Sequence, residues 1–431
     1  MSIMAEPIGF NLVGHVSGNL GLGVTARQVA DLILRKGFPL ALLDIDAGGG
    51  RGGYDQSFRE YAVSSLEALP HSINLLVLPP DTICGLADIP SRRGLLLRSD
   101  RIKSALVMWE HTRLPRRWLP TLQMLDVIVA PSAFVHAAFA THLDGALTIP
   151  AVLSIRLPDV VPSRERFGLP SGVVIFVTSF EPTSDPERKN PMAAIEAFQR
   201  AFHADSRAML LIKVHNPMVG RDLHPIVRRL RDECARDPRI RVMEDPLTYQ
   251  EVLSLYGACD VFVSLHRSEG FGLALIEAMA LGKPVIATAW SGNMTFMNAR
   301  NSCLVSYRLV PVKATHVLYS RRLLGADVRW ADPNLEDAAA WMARLVNEPS
   351  LRSTIGARAA RSIVDYQKEA EQGTFLDELV AISEQLPGMP SFQSKKARLS
   401  AWERRLLRGD RRRVVRYYID RLYKWLRPRR V

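Results

Sequence analysis

The sequence contains little that would tie it to a membrane span, a metal or an oxidising compartment. Its 431 residues include four cysteines, Cys84, Cys234, Cys259 and Cys303, without a CxxC pair or any spacing typical of metal ligands. This scarcity predicts a reducing cytoplasm and no structural zinc. No uncharged apolar run of about 18 residues occurs, which predicts no membrane-spanning helix. The first residues, MSIMAEPIGFNLVGH, lack the basic region and cleavage site of a signal peptide.

Basic charge is concentrated at one end of the chain. Residues 391–431 carry 15 Lys and Arg against 3 acidic residues, and the rest of the chain holds 41 of each sign, so the net charge of +12 belongs to this segment. From Leu399 onward, apolar residues recur at helical spacing with basic residues between them. We expect a basic amphipathic tail that binds an anionic membrane surface. Docking on the protein body or on a partner protein is an alternative, and RNA or DNA binding is not expected.

Short runs rich in Val, Ile and Leu alternate with helix-like stretches through most of the chain. Such alternation is typical of parallel, doubly wound sheets whose strands are covered on both faces. The predicted strands lie at 8–16, 39–45, 73–78, 104–109 and 126–130, then at 172–180, 208–214, 239–244, 260–265, 284–289 and 302–307. The predicted helices of the second set lie at 191–203, 221–236, 248–258, 273–282 and 335–347, and one more follows the first strand and closes at Gly37.

This alternation predicts an α/β protein with two Rossmann-like domains in tandem that face a cleft. A proline-containing stretch without periodicity, 154–170, separates the two sets of strands. The predicted boundaries are an N-terminal domain at 1–155, a linker at 156–171, a C-terminal domain at 172–365, a helical crossover at 366–390 and the basic tail at 391–431.

The stretch LHRSEGFGLALIEAMALGKPVIAT, residues 265–288, places two carboxylates around a glycine turn. Gly270 and Gly272 permit a tight backbone and close ligand approach, and the free amides near Leu273 suit a phosphate at the start of a helix. Glu277 is a polar residue in an otherwise apolar helix, which is costly unless its carboxylate is satisfied. A carboxylate accepts hydrogen bonds from two neighbouring hydroxyls, so a nucleotide sugar would satisfy both Glu269 and Glu277.

The same stretch resembles the E-x7-E signature of family 4 glycosyltransferases, which are retaining enzymes of the GT-B fold. Further similarity spans about residues 8–365. It is carried by GNLGLGVTAR (18–27), WEHTRLPRRW (109–118), DVIVAPSAFV (126–135), an RKNP-type segment (180–202), SGN (291–293) and WADPN (330–334).

The resemblance implies a role for each matching residue. Glu277 would bind the ribose hydroxyls of the donor nucleotide, and Glu269 would contact the transferred sugar. Lys189, with Arg188, would neutralise the leaving diphosphate, although Phe180-Glu181 stands where many relatives carry an arginine. His111 or Glu110 would meet the acceptor hydroxyl or the donor sugar. The remaining donor contacts would come from Phe271, Gly272, Leu273, Gly270, Gly21 and Gly23.

No metal or other cofactor is implied by the resemblance, because cationic side chains and a helix end stabilise the leaving diphosphate. Asp44-Ile45-Asp46 spells the DxD metal motif of another glycosyltransferase architecture, but its surroundings do not fit that fold. His15 and His266, at strand ends, are interpreted as structural groups.

The function implied is transfer of a sugar from a nucleotide diphosphate donor to a glycan acceptor, lipid-linked, in the synthesis of a cell-surface polysaccharide. The expected location is cytoplasmic and peripheral on the inner face of the cell membrane. Two alternatives remain open: a nucleotide-sugar epimerase or hydrolase of the same architecture, and a non-catalytic binding protein that acts through its basic tail.

Overall fold

The structure is a computed structural model that describes residues 8–46, 55–89, 92–97, 100–143, 146–203, 207–216, 224–313, 321–325 and 327–385. These residues divide into two compact units. The described parts of 8–109, 114–154 and 370–385 form unit 1, and those of 110–113 and 155–369 form unit 2.

Unit 1 is built on a parallel sheet of six strands in the order β2-β1-β3-β4-β5-β6 among the described residues. Every residue of β1, β3, β4 and β5 is buried, as expected for a sheet covered on both faces. The strands are β1 Phe10–Gly14, β2 Leu40–Asp44, β3 Ile73–Val77, β4 Ile102–Leu106, β5 Val127–Ala130 and β6 Leu147–Pro150.

The helices of unit 1 bury their apolar stripes against this sheet. In the first of them Val24, Val29 and Ile33 are buried, and the chain leaves it through Gly37, whose φ of 78° is the predicted left-handed exit. The last one, at the end of the described chain, lies next to β3 and β4. The helices are α1 Gly21–Arg35, α2 Pro80–Asp88, α3 Gly94–Leu97, α4 Leu119–Leu122, α5 Ala133–Ala140 and α14 Thr374–Gln385.

Unit 2 contains a second parallel sheet of six described strands, in the order β12-β11-β10-β7-β8-β9, and a separate antiparallel pair, β13-β14. The core between this sheet and its helices includes Phe176, Phe198 and Leu210. The strands are β7 Val174–Phe180, β8 Ala208–Val214, β9 Ile240–Met243, β10 Val261–Ser264, β11 Val285–Thr288, β12 Cys303–Val305, β13 Tyr307–Pro311 and β14 Arg329–Pro333.

The helices of unit 2 alternate with these strands as the hydrophobic pattern predicts. One predicted helix, 221–236, begins at Pro225 in the structure, and residues 221–223 lie outside the described chain. The helices are α6 Pro186–Lys189, α7 Pro191–Ala201, α8 Pro225–Arg236, α9 Tyr249–Ala258, α10 Leu273–Ala280, α11 Arg321–Leu324, α12 Leu335–Asn347 and α13 Pro349–Ala370.

The predicted α/β class with two doubly wound parallel sheets is confirmed, but the strand assignment was wrong at β6, at the predicted strand 302–307 and at β14, which was not predicted. The strand β6 was missed because it is short and half exposed, with Leu147 open to solvent. The predicted strand 302–307 is divided, because β12 ends at Val305 and β13 starts at Tyr307 to pair with β14 instead. The largely exposed β13 lacks the two-residue alternation that would have revealed it.

Within the described residues, no helix is long and apolar enough to cross a membrane. The predicted basic tail, 391–431, lies outside the described residues.

Candidate active site

The glycine turn, residues 270–272, lies between the carboxyl end of β10 and the start of α10. It therefore places the start of α10 near the carboxyl edge of the sheet in unit 2. Gly272 precedes the helix with a φ of 97°, a left-handed conformation that glycine adopts without strain. It has no side chain to cap the helix, and the amides of a first helical turn have no acceptor within the helix. Leu273 is the first residue of α10. The turn therefore presents backbone donors and the positive end of a helix dipole, which suits an anionic ligand.

A second turn, Ser291-Gly292, packs against the glycine turn and is hydrogen-bonded to it. The Glu269 amide donates to Ser291 Oγ at 2.8 Å, and the Gly292 amide donates to the Glu269 carbonyl oxygen at 2.9 Å. A Cβ atom at Gly292 would lie 2.1 Å from the carbonyl oxygen of Gly270, so only glycine fits there. Ser291 itself has a φ of 78°, an uncommon value for a residue other than glycine. The two backbones are therefore packed in direct contact.

Glu269 is buried and ionised between two cations. Lys189 Nζ donates to Glu269 Oε1 at 2.5 Å, and Arg188 Nη1 lies 3.3 Å from Glu269 Oε2. Burial on its own would raise the pKa of Glu269, but the charges of Lys189 and Arg188 outweigh it and lower the pKa to about 2. The carboxylate is thus charged at every physiological pH.

The two cations occupy different environments, although they are adjacent in α6. The side chain of Arg188 is 1% exposed, and its guanidinium donates to the Ser268 carbonyl oxygen at 2.9 Å and to Ser184 Oγ at 2.7 Å. The side chain of Lys189 is 24% exposed, and burial lowers its pKa against the attraction of Glu269. Arg188 therefore fixes the backbone of the loop, and Lys189 is the cation that a ligand can reach.

Glu277 lies buried in α10, and its pKa is shifted in the direction opposite to that of Glu269. Its Oε1 accepts a hydrogen bond from the Tyr249 hydroxyl at 2.8 Å. Burial raises the pKa of Glu277 to about 8, and the hydrogen bond from Tyr249 opposes that rise without cancelling it. Near neutral pH the group therefore holds its proton until further hydrogen-bond donors favour the carboxylate.

The side chains of Phe271 and His266 pack around the glycine turn. The Phe271 ring is buried and meets Phe296 edge-on, with the ring centroids 5.3 Å apart. His266 is fully buried, and its Nε2 faces Asn293 Oδ1 at 3.1 Å while its Nδ1 lies 3.0 Å from Ser264 Oγ. Because Asn293 Oδ1 is an acceptor, Nε2 carries the proton and Nδ1 accepts from the serine. The structural interpretation of His266 from the sequence agrees with this arrangement.

His111 belongs to a short segment, 110–113, that packs within unit 2. Its buried ring stacks on Trp330 with the ring centroids 6.4 Å apart. Burial and the charge of Arg188 lower the pKa of His111 to about 3, so the imidazole is neutral. Glu110 lies beside it, with Oε1 3.8 Å from Arg188 Nη2. Both residues are thus linked to the Glu269 cluster through Arg188.

Gly21 and Gly23 lie in unit 1, in the first turn of α1. The loop before them is held by the buried Arg27, whose Nη1 donates to the Val16 carbonyl oxygen at 2.6 Å. His15 Nδ1 lies 2.9 Å from Asp46 Oδ2. These contacts define a compact loop at the carboxyl end of β1, as the sequence predicts for its glycine-rich stretch.

The DxD motif is engaged in hydrogen bonds of the same loop. Asp44 accepts from the Ser17 hydroxyl, and Asp46 accepts from His15 when Nδ1 carries its proton. Over the described part of the chain, no group of three or more His, Cys, Asp or Glu side chains is placed to hold a metal ion.

Three residues that matter to this geometry were not singled out by the sequence. Tyr249 binds Glu277 across 28 residues of chain, and a tyrosine at the start of a helix carries no pattern that would reveal this. Ser184 and Ser268 bind the Arg188 guanidinium, but serines in loops are too common to be a signal.

Two doubly wound parallel sheets in succession, with a glycine turn and buried carboxylates in the second, define the chain as a protein of the GT-B fold class. The structure of HepE from Anabaena, solved in complex with UDP and glucose, is similar with a TM-score of 0.58 and 13% identity, over 85% of this chain and 99% of that one. At this identity the likeness establishes the fold.

Residues 171–316 match the family model described as glycosyl transferases group 1, which agrees with the resemblance stated from the sequence. The D-inositol 3-phosphate glycosyltransferase of Corynebacterium efficiens is 32% identical over 133 residues, which are 30% of each chain. The enzyme of that name from Kineococcus radiotolerans is 25% identical over 68% of this chain and 61% of its own length. The chain thus spans less than two thirds of the length of these relatives.

Proposed function

We propose that the chain transfers a sugar from a nucleotide diphosphate donor to a glycan acceptor with retention of configuration. The observation that carries this proposal is the pair of buried carboxylates around the glycine turn, Glu269 before α10 and Glu277 within it. Near neutral pH the shifted pKa values leave Glu269 charged and Glu277 protonated. The two differ because Glu269 has two cationic neighbours and Glu277 has a neutral phenol. Two such groups on either side of a helix N-terminus suit a ligand with a sugar at each end and phosphates between.

The nucleotide end of the donor is assigned to Glu277. A ribose offers two neighbouring hydroxyl donors, which together favour the ionised carboxylate and offset its desolvation. The diphosphate is assigned to the backbone of the glycine turn and the start of α10, which comprises Gly270, Phe271, Gly272 and Leu273. We propose that Gly21 and Gly23 contact the donor as well, by resemblance.

The reacting end of the donor is assigned to Glu269 and Lys189. As the diphosphate leaves, negative charge grows on its oxygens, and Lys189 is the partly exposed cation able to stabilise it. Arg188 acts through the loop that it binds, and its charge keeps Glu269 ionised. His111, neutral, can only exchange hydrogen bonds with the acceptor hydroxyl or the sugar. No protein nucleophile is assigned.

A turnover assay of the full chain tests this assignment. UDP- and GDP-sugars are incubated with inositol phosphate and with membrane glycolipid extracts as acceptors, and released nucleotide and glycosylated product are both measured. We expect Glu269→Gln to lower turnover at least about 100-fold, which is typical for loss of a group that acts in the transition state. Glu196→Gln, at an exposed glutamate of α7, is the matched control and should retain activity.

The products also separate the alternatives. An epimerase or hydrolase would consume the donor without glycosylating any acceptor, and a non-catalytic protein would leave the donor intact. Full activity in Glu269→Gln would contradict the assigned site.

We propose a lipid-linked acceptor in cell-surface polysaccharide synthesis and a peripheral position on the cytoplasmic face of the membrane. The support is the basic segment 391–431, whose charge of +12 would attract anionic lipids. Vesicle sedimentation with phosphatidylserine tests it: the full chain should bind, and a chain ending at 390 should not. Equal binding by both would contradict a membrane role for the tail.

A further inference from the structure

Tyr249 is the residue through which α9 reaches the carboxylate of α10. It is the first residue of α9, its ring is half-buried, and its hydroxyl donates to Glu277 Oε1 at 2.8 Å. Neither the hydrophobic pattern nor the resemblance assigns it a role.

The backbone around Tyr249 is held on both sides. Thr248 and Glu251 form a capping box, in which the Thr248 amide donates to Glu251 Oε2 at 2.8 Å. Asp245, four residues before Tyr249, is held as well: its carbonyl oxygen accepts a hydrogen bond from Nζ of the buried Lys213 at 2.7 Å. The phenol therefore projects from a fixed helix start, and its hydroxyl has little freedom to leave Glu277.

The surroundings of Glu277 make this hydroxyl important. Among the described residues, no lysine, arginine or histidine forms an ion pair with Glu277, so a neutral phenol is what opposes its desolvation. The second phenol that faces it, Tyr256, also lies on α9, and its hydroxyl is within 2.5 Å of Ser179 Oγ. The Tyr256 hydroxyl is therefore hydrogen-bonded to Ser179, and the Tyr249 hydroxyl is hydrogen-bonded to the carboxylate of Glu277.

We propose that Tyr249 is a positioning residue that holds Oε1 of Glu277, so that Oε2 is presented to the ribose hydroxyls of the donor nucleotide. This inference rests on the proposed function. A carboxyl group that is hydrogen-bonded at one oxygen rotates less freely, so less freedom is lost when the ribose binds.

The test compares a nucleotide with its deoxy analogue in three proteins. The ribonucleoside diphosphate that wild type binds best, and its 2′-deoxy form, are titrated by calorimetry against wild type, Tyr249→Phe and Tyr256→Phe. In wild type we expect the ribonucleotide to bind at least about 10-fold more tightly than the deoxy form, the effect of a hydrogen bond to a charged group.

Tyr249→Phe should lose about 5- to 10-fold in affinity for the ribonucleotide and little for the deoxy form, so that the preference between them shrinks. Tyr256→Phe removes a buried hydroxyl from the same helix and should keep the preference. In a Glu277→Ala background, Tyr249→Phe should cause no further loss, because its partner is already absent.

The outcomes separate this inference from the function beneath it. An unchanged preference in Tyr249→Phe, or an equal reduction in Tyr256→Phe, would overturn the role of Tyr249 while leaving Glu277 as the ribose ligand. If wild type itself binds both forms equally, the ribose assignment of Glu277 fails, and the inference fails with it.

Discussion

The substitution Gly292→Ala, compared with a control at a second glycine, should show that the geometry of the glycine turn determines nucleotide affinity independently of protein stability. A Cβ atom there would lie 2.1 Å from the Gly270 carbonyl oxygen and 2.6 Å from the Phe271 amide nitrogen. Both are backbone atoms, so no side chain can rotate to make room. The contact must open by about 1 Å to approach a normal van der Waals separation.

The expected effect on the site follows from that displacement. A shift of about 1 Å in groups that align a substrate costs on the order of 100-fold in rate. Forcing one carbon into a packed contact costs typically about 1–3 kcal/mol of stability. Gly292→Ala should therefore fold, lose about 1–3 kcal/mol, and bind nucleotide diphosphate at least about 10-fold more weakly.

Gly356 provides a matched control in the same unit. A Cβ atom there would lie 2.2 Å from the Gly282 carbonyl oxygen, which follows the carboxyl end of α10, opposite the glycine turn. Gly356→Ala should lose comparable stability and retain nucleotide affinity. Denaturant unfolding and calorimetric titration of both variants measure the two quantities. Equal affinities in Gly292→Ala and wild type would refute the argument that the glycine turn forms the ligand site.

Three further predictions concern charge. Because the folded pKa of Glu277 is raised from 4.5 to about 8, its contribution to stability falls as pH rises between those values. Glu277→Gln should therefore melt at a higher temperature than wild type at pH 9 and at a similar one at pH 4, and the reverse order would contradict its burial in the acid form. For Glu269 the folded pKa is lowered to about 2, so its contribution is present above 4.5 and lost as pH falls to 2. Lys189→Met should weaken that acid dependence, as acid titrations followed by circular dichroism would show. In unit 1, the buried Lys103–Asp126 pair, 2.7 Å apart, predicts a loss of about 3–5 kcal/mol in Lys103→Met, much of it recovered when Asp126→Asn is added. Additive losses in urea unfolding would contradict this coupling.

The sequence was sufficient where a single local pattern determines the structure. The apolar run of β8 was predicted at its observed bounds, 208–214, because a buried parallel strand is continuously hydrophobic. The start of α10 was predicted at Leu273 because glycines punctuate the chain before an apolar helical run.

The sequence was insufficient where distant residues decide the environment of a charge. Arg188 and Lys189 are adjacent in the sequence, and both side chains are cations at neutral pH. Only the fold encloses Arg188 with Ser184 and Ser268 and leaves Lys189 partly open. The lowered pKa of Glu269 likewise depends on Lys189, 80 residues away, and the raised pKa of Glu277 depends on burial in the fold, which the hydrogen bond from Tyr249, 28 residues away, opposes without cancelling. Such long-range contacts leave no periodic trace.

The central claim is that Glu277 binds the ribose of a nucleotide diphosphate donor. Its most direct test is calorimetric titration of UDP, GDP, ADP and their sugars against wild type, Glu277→Ala and the exposed-site control Glu196→Ala. We predict that the nucleotides of one base bind wild type and Glu196→Ala with equal affinity and bind Glu277→Ala at least about 10-fold more weakly. Equal affinity in all three proteins would contradict the claim.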